Sequence, residues 1–264
     1  MVRPLALPHL ALLSLLLVPA ACKDDVELAP KAEKLEEAAP KTEAATVFTV
    51  QAEGSAVSFE MQAPFERQEG TVPTQALSGS LHVDPHDLTK TTGLVMVDLA
   101  KLEIFMQKAE EEGDYGEREK SDVQNEHMRD WLEIGDDVPA DVLKDNQRVE
   151  FSITEVKDVS TADVSAMEGA ERTVTFTAGG EFLLHQRKSP KAVKMEATFH
   201  YQGDTPTTVE VRTVEPFAVG LAEHDVRPRT GFGTLAQKTL STLSSKVAEE
   251  AQVSVSFTAV PAKG

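Results

Sequence analysis

The chain of 264 residues contains one cysteine, one tryptophan and two tyrosines. A single cysteine excludes an internal disulfide and every metal site built from several cysteines. Basic residues are also scarce, because 26 lysines and arginines stand against 44 aspartates and glutamates, which gives a formal charge of −18. Such a charge repels phosphate backbones, so nucleic acid is not expected as a partner of the chain as a whole.

The sequence also lacks a long apolar run. No stretch reaches the roughly 18–20 apolar residues that span a bilayer, which argues against a helical membrane domain. Apolar residues make up 41% of the chain and charged residues 27%, so a packed core is possible and global disorder is not expected. The length favours one large domain preceded by a targeting segment and a tether.

The N-terminus reads as a targeting segment. Arg3 precedes an apolar stretch at residues 5–18, which has the length of a signal-peptide core. This stretch runs into the sequence PAAC at 19–22, which resembles a bacterial lipobox, although Pro19 departs from the usual pattern. We therefore predict a signal peptide at 1–21 and lipid attachment at Cys22. The alternative is an ordinary secretory signal, which would leave Cys22 as a free thiol.

Residues 22–46 differ in composition from the rest of the chain. They are rich in Lys, Glu, Ala and Pro, and Leu28 and Leu35 are almost their only bulky apolar residues. This composition predicts a charged, semi-extended tether that buries nothing and holds residues 47–264 off the lipid surface. A short interaction helix is the alternative.

Alternation of apolar and polar residues dominates the chain after Thr46, which is typical of half-buried antiparallel strands. In the clearest example, from Val193 to Tyr201, every second residue is apolar. Roughly eight or nine such segments predict an all-β fold, either a sandwich or an up-and-down barrel. An alternating segment near the C-terminus, which contains Val255 and Phe257, favours the barrel because a last strand could pair with the first and remove both edges.

Two stretches interrupt the alternation. An acidic stretch at 107–124 leads into a short amphipathic segment at 126–134. The second stretch, at 234–250, has apolar residues at helical spacing and begins with Thr234 and Gln237, which have the form of a capping box. One or two short helices are therefore expected beside the strands.

No residue pattern indicates catalysis. His82 and His86 are the closest histidine pair, but they straddle the turn at Asp84-Pro85, and the i,i+4 spacing places two histidines on one face only in a helix. A Gly-x-Ser-x-Gly nucleophile motif is absent from the sequence. We therefore expect a protein that is not an enzyme and that needs no metal ion and no cofactor.

Several motifs occur in an order that matches one known pattern. They begin with LSGSLHVDP at 77–85 and TTGLVMVDL at 91–99. HMRDWLEI at 127–134 follows, and then RVEFSI at 148–153. The later motifs are GGEFLLH at 179–185 with SPKAV at 189–193, and EPFAV at 215–219. Together they resemble the paired first strands, the next block and the later strands of the YceI-like family of extracytoplasmic lipid- or polyisoprenoid-binding proteins.

The resemblance implies a lipocalin-like antiparallel barrel of about eight strands, with an elongated apolar interior for an isoprenoid or other amphiphilic chain. The sequence departs from the family at 185–188, where HQRK lacks the family's glycine. The segment 135–146 and the acidic stretch before His127 look like insertions. The helical segment at 234–250 has no counterpart in the family pattern.

These expectations name candidate residues. A cavity wall is predicted from inward-facing residues of the strands, although the same side chains would fit an ordinary core: Phe59, Val97, Phe151, Phe182, Met195, Phe199 and Phe257. The barrel mouth is predicted at His127, Arg129 and Trp131.

The predicted function is a lipid-anchored protein of the bacterial cell envelope that binds an isoprenoid or lipid-like chain inside a β-barrel. Its predicted location is periplasm-facing or at the outer membrane, held by an N-terminal acyl anchor. The alternative is a structural or interaction lipoprotein whose barrel is filled by its own side chains. The sequence predicts neither the ligand's identity nor the oligomeric state.

Overall fold

The computed structural model describes residues 26–63, 65–110, 114–228 and 248–263. The strands are β1 (Thr46–Ala63), β2 (Glu66–Val72), β3 (Leu77–Val83), β4 (Thr92–Asp98), β5 (Glu103–Lys108), β6 (Glu119–Lys120), β7 (Arg148–Lys157), β8 (Glu171–Leu184), β9 (Arg187–Gln202), β10 (Thr205–Thr213), β11 (Phe217–Gly220) and β12 (Glu250–Pro261). The helices are α1 (Asp122–Trp131) and α2 (Ala140–Asn146). Among these residues, no helix has the length and apolar character needed to cross a membrane.

Eight strands form a closed antiparallel barrel in the order β12-β10-β9-β8-β7-β4-β3-β1. The barrel closes where β1 pairs with β12, from Phe48 opposite Pro261 to Glu60 opposite Gln252. The expected lipocalin-like barrel with one or two short helices is thus confirmed, and the sandwich alternative is wrong because the sheet has no break between its first and last strands. α1 overlaps the segment expected at 126–134, whereas α2 lies in the segment 135–146, where no helix was expected. The predicted signal peptide, Cys22 and most of the segment at 234–250 lie outside the described residues.

The core follows from the alternation in the sequence. Along β9 the inward residues from Val193 to Tyr201 are buried, whereas those between them are half-buried or exposed. Because side chains in a strand point to opposite faces in turn, this pattern places one apolar face inside the barrel and one polar face outside. Burial of the inward face provides the main stabilisation of the fold.

β1 is the longest strand, and it bends in its middle. Its first residues pair with β3, whereas Val57–Ala63 pair with β2. The register against β12 shifts between Gln51 and Ala56, and Gly54 in this bulge has a φ of 77°. A positive φ favours glycine there. The bend turns the second half of β1 away from β3 into a flared ribbon with β2, β5 and β6.

The two ends of the barrel carry different structures. One end, called here the hairpin end, carries the β8–β9 turn at 185–186, α2 and the loop at 221–226. The opposite end, called here the far end, carries the β9–β10 turn and the loop at 158–170. Arg172 fixes that loop, because it donates hydrogen bonds to the carbonyl oxygens of Val164 and Ser165 at 3.0 and 2.8 Å. The far end is thereby covered, and Val164 is fully buried.

Residues 29–42, called here the strap, lie along the outside of the barrel. The Leu35 side chain is only 8% exposed, and the Leu35 N–H donates a hydrogen bond to Glu150 Oε2 at 2.5 Å. The Thr42 hydroxyl donates to Asp84 Oδ2 at 2.8 Å. The strap is therefore packed against the barrel between these two points.

This packing corrects the prediction that residues 22–46 bury nothing. The correction applies to the strap, whose polar backbone groups pair with outward-facing side chains of the barrel. Apolar periodicity does not reveal such pairing, because Leu35 is the one buried apolar residue in the middle of the strap. The division of the chain at residues 21 and 46 stays a prediction.

Two neighbouring glycines in β8 offer a test of the close strand packing. A Cβ at Gly180 would overlap the carbonyl oxygen of Ser152 in β7, whereas a Cβ at Gly179 would lie 3.7 Å from its nearest neighbours, atoms of Glu155. We expect Gly180→Ala to lower the free energy of unfolding by about 1–3 kcal/mol, the usual cost of overpacking. Gly179→Ala is the matched control and should change it much less. Urea unfolding followed by circular dichroism measures both, and equal midpoints would contradict the packing described.

Candidate ligand-binding cavity

The barrel encloses an elongated apolar cavity. The centres of water-sized molecules can occupy about 180 Å³ of it, more than ten times the roughly 10–15 Å³ that one water needs. Its wall comes from all eight barrel strands and from β11 and α1. Small side chains at Ala178 and Ala251 leave part of the lumen unfilled.

Aromatic side chains are only partly covered inside the lumen. Phe59, Phe151, Phe176 and Phe217 face the cavity, and each is half-buried rather than buried. In a barrel filled by its own side chains, these rings would be covered on all sides. Their free faces therefore form an apolar wall that has no protein partner among the described residues.

Most of the predicted wall residues line this cavity. Six of them do so: Phe59, Val97, Phe151, Phe182, Met195 and Phe257. Phe199 faces inward but lies outside the lining, buried to 3% exposure nearer the far end. Whether the six residues hold a ligand stays a prediction. Residues that were not predicted for the wall but line it include Phe176, Phe217 and Val255, which follow the same alternation.

The residues predicted for the mouth do not line the cavity. His127 is exposed on α1, Arg129 reaches the carbonyl oxygen of Ala100 at 3.5 Å, and Trp131 is half-buried against the core. α1 instead contributes Met128 and Leu132 to the cavity wall. These two residues are four apart and so share one face of the helix.

A polar rim lies at the hairpin end of the cavity. The Lys191 side chain lines the cavity, and its Nζ lies 3.2 Å from Glu223 Oε1. The carbon stem of a lysine can cover apolar surface while its ammonium group reaches a polar partner. The Glu223 side chain lies close over Gly220, where a Cβ would be 3.2 Å away.

His224 lies behind this rim and is fully buried. Its Nδ1 donates to the carbonyl oxygens of Arg187 and Leu184 at 3.0 and 3.3 Å. Its Nε2 faces the Ser189 hydroxyl at 3.2 Å and Glu223 Oε1 at 3.3 Å. Burial lowers the pKa of His224 below its ordinary value near 6.5, and this effect outweighs the opposing influence of the Glu223 carboxylate.

The contact between Ser189 and His224 does not form a catalytic triad in the described residues. Carbonyl oxygens, not a carboxylate, accept the Nδ1 proton of His224, and Ser189 is only 8% exposed. In a triad, a carboxylate at Nδ1 orients the imidazole and stabilises its charged form. The arrangement is suited to hold the β8–β9 turn against the 221–226 loop.

The same cluster explains how the β8–β9 turn forms without a glycine. His185 and Gln186 both have positive φ, 49° and 55°, a conformation that costs energy for residues other than glycine. His185 Nε2 contacts Glu133 Oε2 at 3.0 Å, and Gln186 donates to Asn146 Oδ1 at 2.7 Å. Side-chain hydrogen bonds to the segment around α2 therefore stabilise a turn with positive φ angles, a conformation in which glycine is usually found.

His82 and His86 contact different partners in the part of the chain that the structure describes. His82 Nε2 contacts Glu37 in the strap at 2.8 Å, and His86 Nδ1 contacts the Ser165 hydroxyl at 2.8 Å. Over the described ranges, no group of three or more His, Cys, Asp and Glu side chains could hold a metal ion.

The barrel is similar to two solved structures of low sequence identity. BcnA from Burkholderia cenocepacia is 15% identical, with a TM-score of 0.47, and the match covers 79% of this chain and 98% of BcnA. The fold is the one that the YceI-like resemblance implies. A polyisoprenoid-binding domain from Saccharophagus degradans implicated in plant cell wall breakdown is 14% identical, with a TM-score of 0.48, and the match covers 82% of this chain and 99% of that domain. No family model and no curated protein matches the chain.

The buried histidine predicts a pH dependence of stability. Because the pKa of His224 is lowered in the folded state, the unfolded chain binds more protons below about pH 6.5. The free energy of unfolding should therefore fall as the pH drops from 6.5 towards the folded-state pKa, by at most about 1.4 kcal/mol per pH unit.

Denaturant unfolding between pH 5 and 8 measures this slope. His224→Asn should remove this part of the slope, whatever it does to stability at pH 8. His127→Asn, at an exposed position, is the control and should keep the slope. A slope that survives in His224→Asn would show that other groups cause it.

Proposed function

We propose that this protein binds one elongated apolar molecule, an isoprenoid or another lipid-like chain, in the lumen of its barrel. The observation that carries the proposal is the apolar cavity, in which four phenylalanine side chains are only half-buried: Phe59, Phe151, Phe176 and Phe217. An apolar chain bound there would cover the exposed faces of these rings, and its own apolar surface would be removed from water. Each buried methylene contributes about 0.8 kcal/mol, so about ten would gain roughly 8 kcal/mol before the cost of lost motion.

The polar rim supports an amphiphilic ligand with its polar end at the hairpin end. Lys191 and Glu223 stand where the apolar wall stops, and they offer hydrogen-bond donors and an acceptor. Because Arg172 and the 158–170 loop cover the far end, an apolar tail fits best with its tip pointing there. In this role the protein carries its ligand and does not transform it.

The envelope location is part of the same proposal. The signal peptide at 1–21 would direct the chain across the inner membrane, and acylation of Cys22 would hold it to the surface of a membrane. A periplasm-facing or outer-membrane site would place the barrel beside a supply of lipid-like ligands.

Cavity filling tests the ligand proposal. Val255 lines the cavity, whereas Ser254 beside it in β12 faces the outer surface. Val255→Trp should lower the affinity for geranylgeraniol at least about tenfold, because the larger side chain would occupy the cavity volume that two or more methylene groups of the ligand need. Ser254→Trp is the matched control and should bind as the unsubstituted protein does. Native mass spectrometry of lipid-stripped protein mixed with geranylgeraniol measures the bound fraction.

Two results would contradict the ligand proposal. One is the absence of any geranylgeraniol complex with the unsubstituted protein, together with no lipid-like adduct on protein purified from its own membrane. The other is equal binding by Val255→Trp. Either result would favour the structural or interaction role.

The anchor is tested separately. Cys22→Ala removes the only thiol of the chain, so acylation becomes impossible and the protein should move from the membrane fraction to the soluble fraction of the cell. Fractionation followed by immunoblotting measures this. A variant that stays with the membranes would show that Cys22 is not the anchor.

A further inference from the structure

The strap starts at the hairpin end of the barrel. The Ala29 N–H donates to the carbonyl oxygen of Glu223 at 2.9 Å, and Arg187 donates back to the carbonyl oxygen of Ala29 at 3.0 Å. The Lys188 N–H donates to the carbonyl oxygen of Pro30 at 2.9 Å. The first residues of the strap are therefore fastened beside the β8–β9 turn.

From there the strap crosses the outer faces of β7 and β4. Arg148 donates to the carbonyl oxygen of Glu33 at 2.6 Å, and the Ser152 hydroxyl donates to that of Glu36 at 2.8 Å. Thr92 in β4 donates to the carbonyl oxygen of Ala39 at 3.1 Å.

The strap also satisfies a buried charge. The Glu150 carboxylate is only 3% exposed, and it accepts the Leu35 N–H. Its remaining partner is Arg148, at 2.5 Å. Lifting the strap would break this hydrogen bond and expose the Leu35 side chain to water, and both changes cost free energy. The strap is therefore a fixed part of the barrel surface.

Chain length then limits where residue 22 can lie. Seven Cα-to-Cα steps lead from Cys22 to Ala29, and an extended chain spans at most about 3.6 Å per step, so the distance is at most about 25 Å. A free tether up to Thr46 would have allowed about 85 Å. An anchor at Cys22 is thus confined to the neighbourhood of the hairpin end.

Exposed apolar side chains occur at the same end. β1 and β8 run in the same direction, so the β1–β2 turn leaves the barrel at the hairpin end. Phe65 in that turn is 71% exposed, and Val26 and Leu28, just before the strap, are 58% and 37% exposed. Apolar side chains of this kind suit the interface of a bilayer.

We infer that the hairpin end is the face that the barrel presents to a lipid bilayer, with the strap fixing this orientation. The polar rim of Lys191 and Glu223 then faces the membrane, and the covered far end faces away. In the cell this orientation rests on the proposed anchoring at Cys22. The test below supplies the attachment chemically, so that the two proposals fail separately.

The single tryptophan reports the orientation. The full chain is coupled through Cys22, its only thiol, to maleimide-phosphatidylethanolamine in phosphatidylcholine vesicles that contain dansyl-labelled lipid. Trp131 lies at the end of α1, next to Glu133, which contacts the β8–β9 turn. In a second protein, Trp131→Phe is combined with Val47→Trp, which moves the reporter to the far end, where Val47 is 38% exposed.

We expect energy transfer to the dansyl lipid to be severalfold stronger from Trp131 than from the reporter at position 47. Equal transfer, or stronger transfer from the far end, would overturn the inference. If Val47→Trp does not fold, Val260→Trp in β12 is the substitute, because Val260 pairs with Thr49 at the same end.

A strap variant tests the cause of the orientation. Leu35→Asp places a second carboxylate beside Glu150 and should release the strap, so that tryptic cleavage after Lys34 becomes faster and the difference between the two reporters is lost. Ala39→Asp adds the same charge at an exposed position and should keep both properties. If Leu35→Asp releases the strap but the difference between the reporters persists, the strap does not set the orientation.

Discussion

The structure depends on the alternation of side chains along eight strands whose sheet closes on itself. A shift of one residue in any strand would exchange its apolar and polar faces, so the register is as important as the composition. Pairing of β1 with β12 fixes that register around the whole circle. The cavity and the polar outer surface that carries the strap are two results of this one constraint.

Much of the fold could be predicted from the sequence because its signal is local. The alternation from Val193 to Tyr201 predicts both a strand and its inward face, and most of the predicted wall residues lie where the same rule puts them. The rule is less informative about depth. Phe199 has the correct face but lies too near the far end to reach the cavity. The position of a side chain along the barrel axis depends on how neighbouring strands are staggered, and the alternation of apolar and polar residues carries no information about this stagger.

The remaining features depend on contacts between distant parts of the chain. The strap is held by hydrogen bonds such as that between Leu35 and Glu150, which are 115 residues apart. The polar rim joins Lys191 in β9 to Glu223 in the loop at 221–226, and no sequence pattern indicates that these two side chains meet. At the mouth, polar and aromatic residues of α1 suggested a binding role, but the apolar pair Met128 and Leu132 turns towards the lumen. The four-residue spacing of Met128 and Leu132, which places both on one face of a helix, could have identified this pair from the sequence.

The closure of the barrel also constrains the order of events during folding. The barrel closes only when β1 pairs with the twelve residues of β12, and the paired residues Phe48 and Pro261 lie far apart in the sequence. Contacts of such sequence separation form slowly, because the intervening chain must be ordered first. Before β12 has paired with β1, the barrel is not closed and its lumen is incomplete. The proposed ligand could therefore be enclosed only after this last pairing.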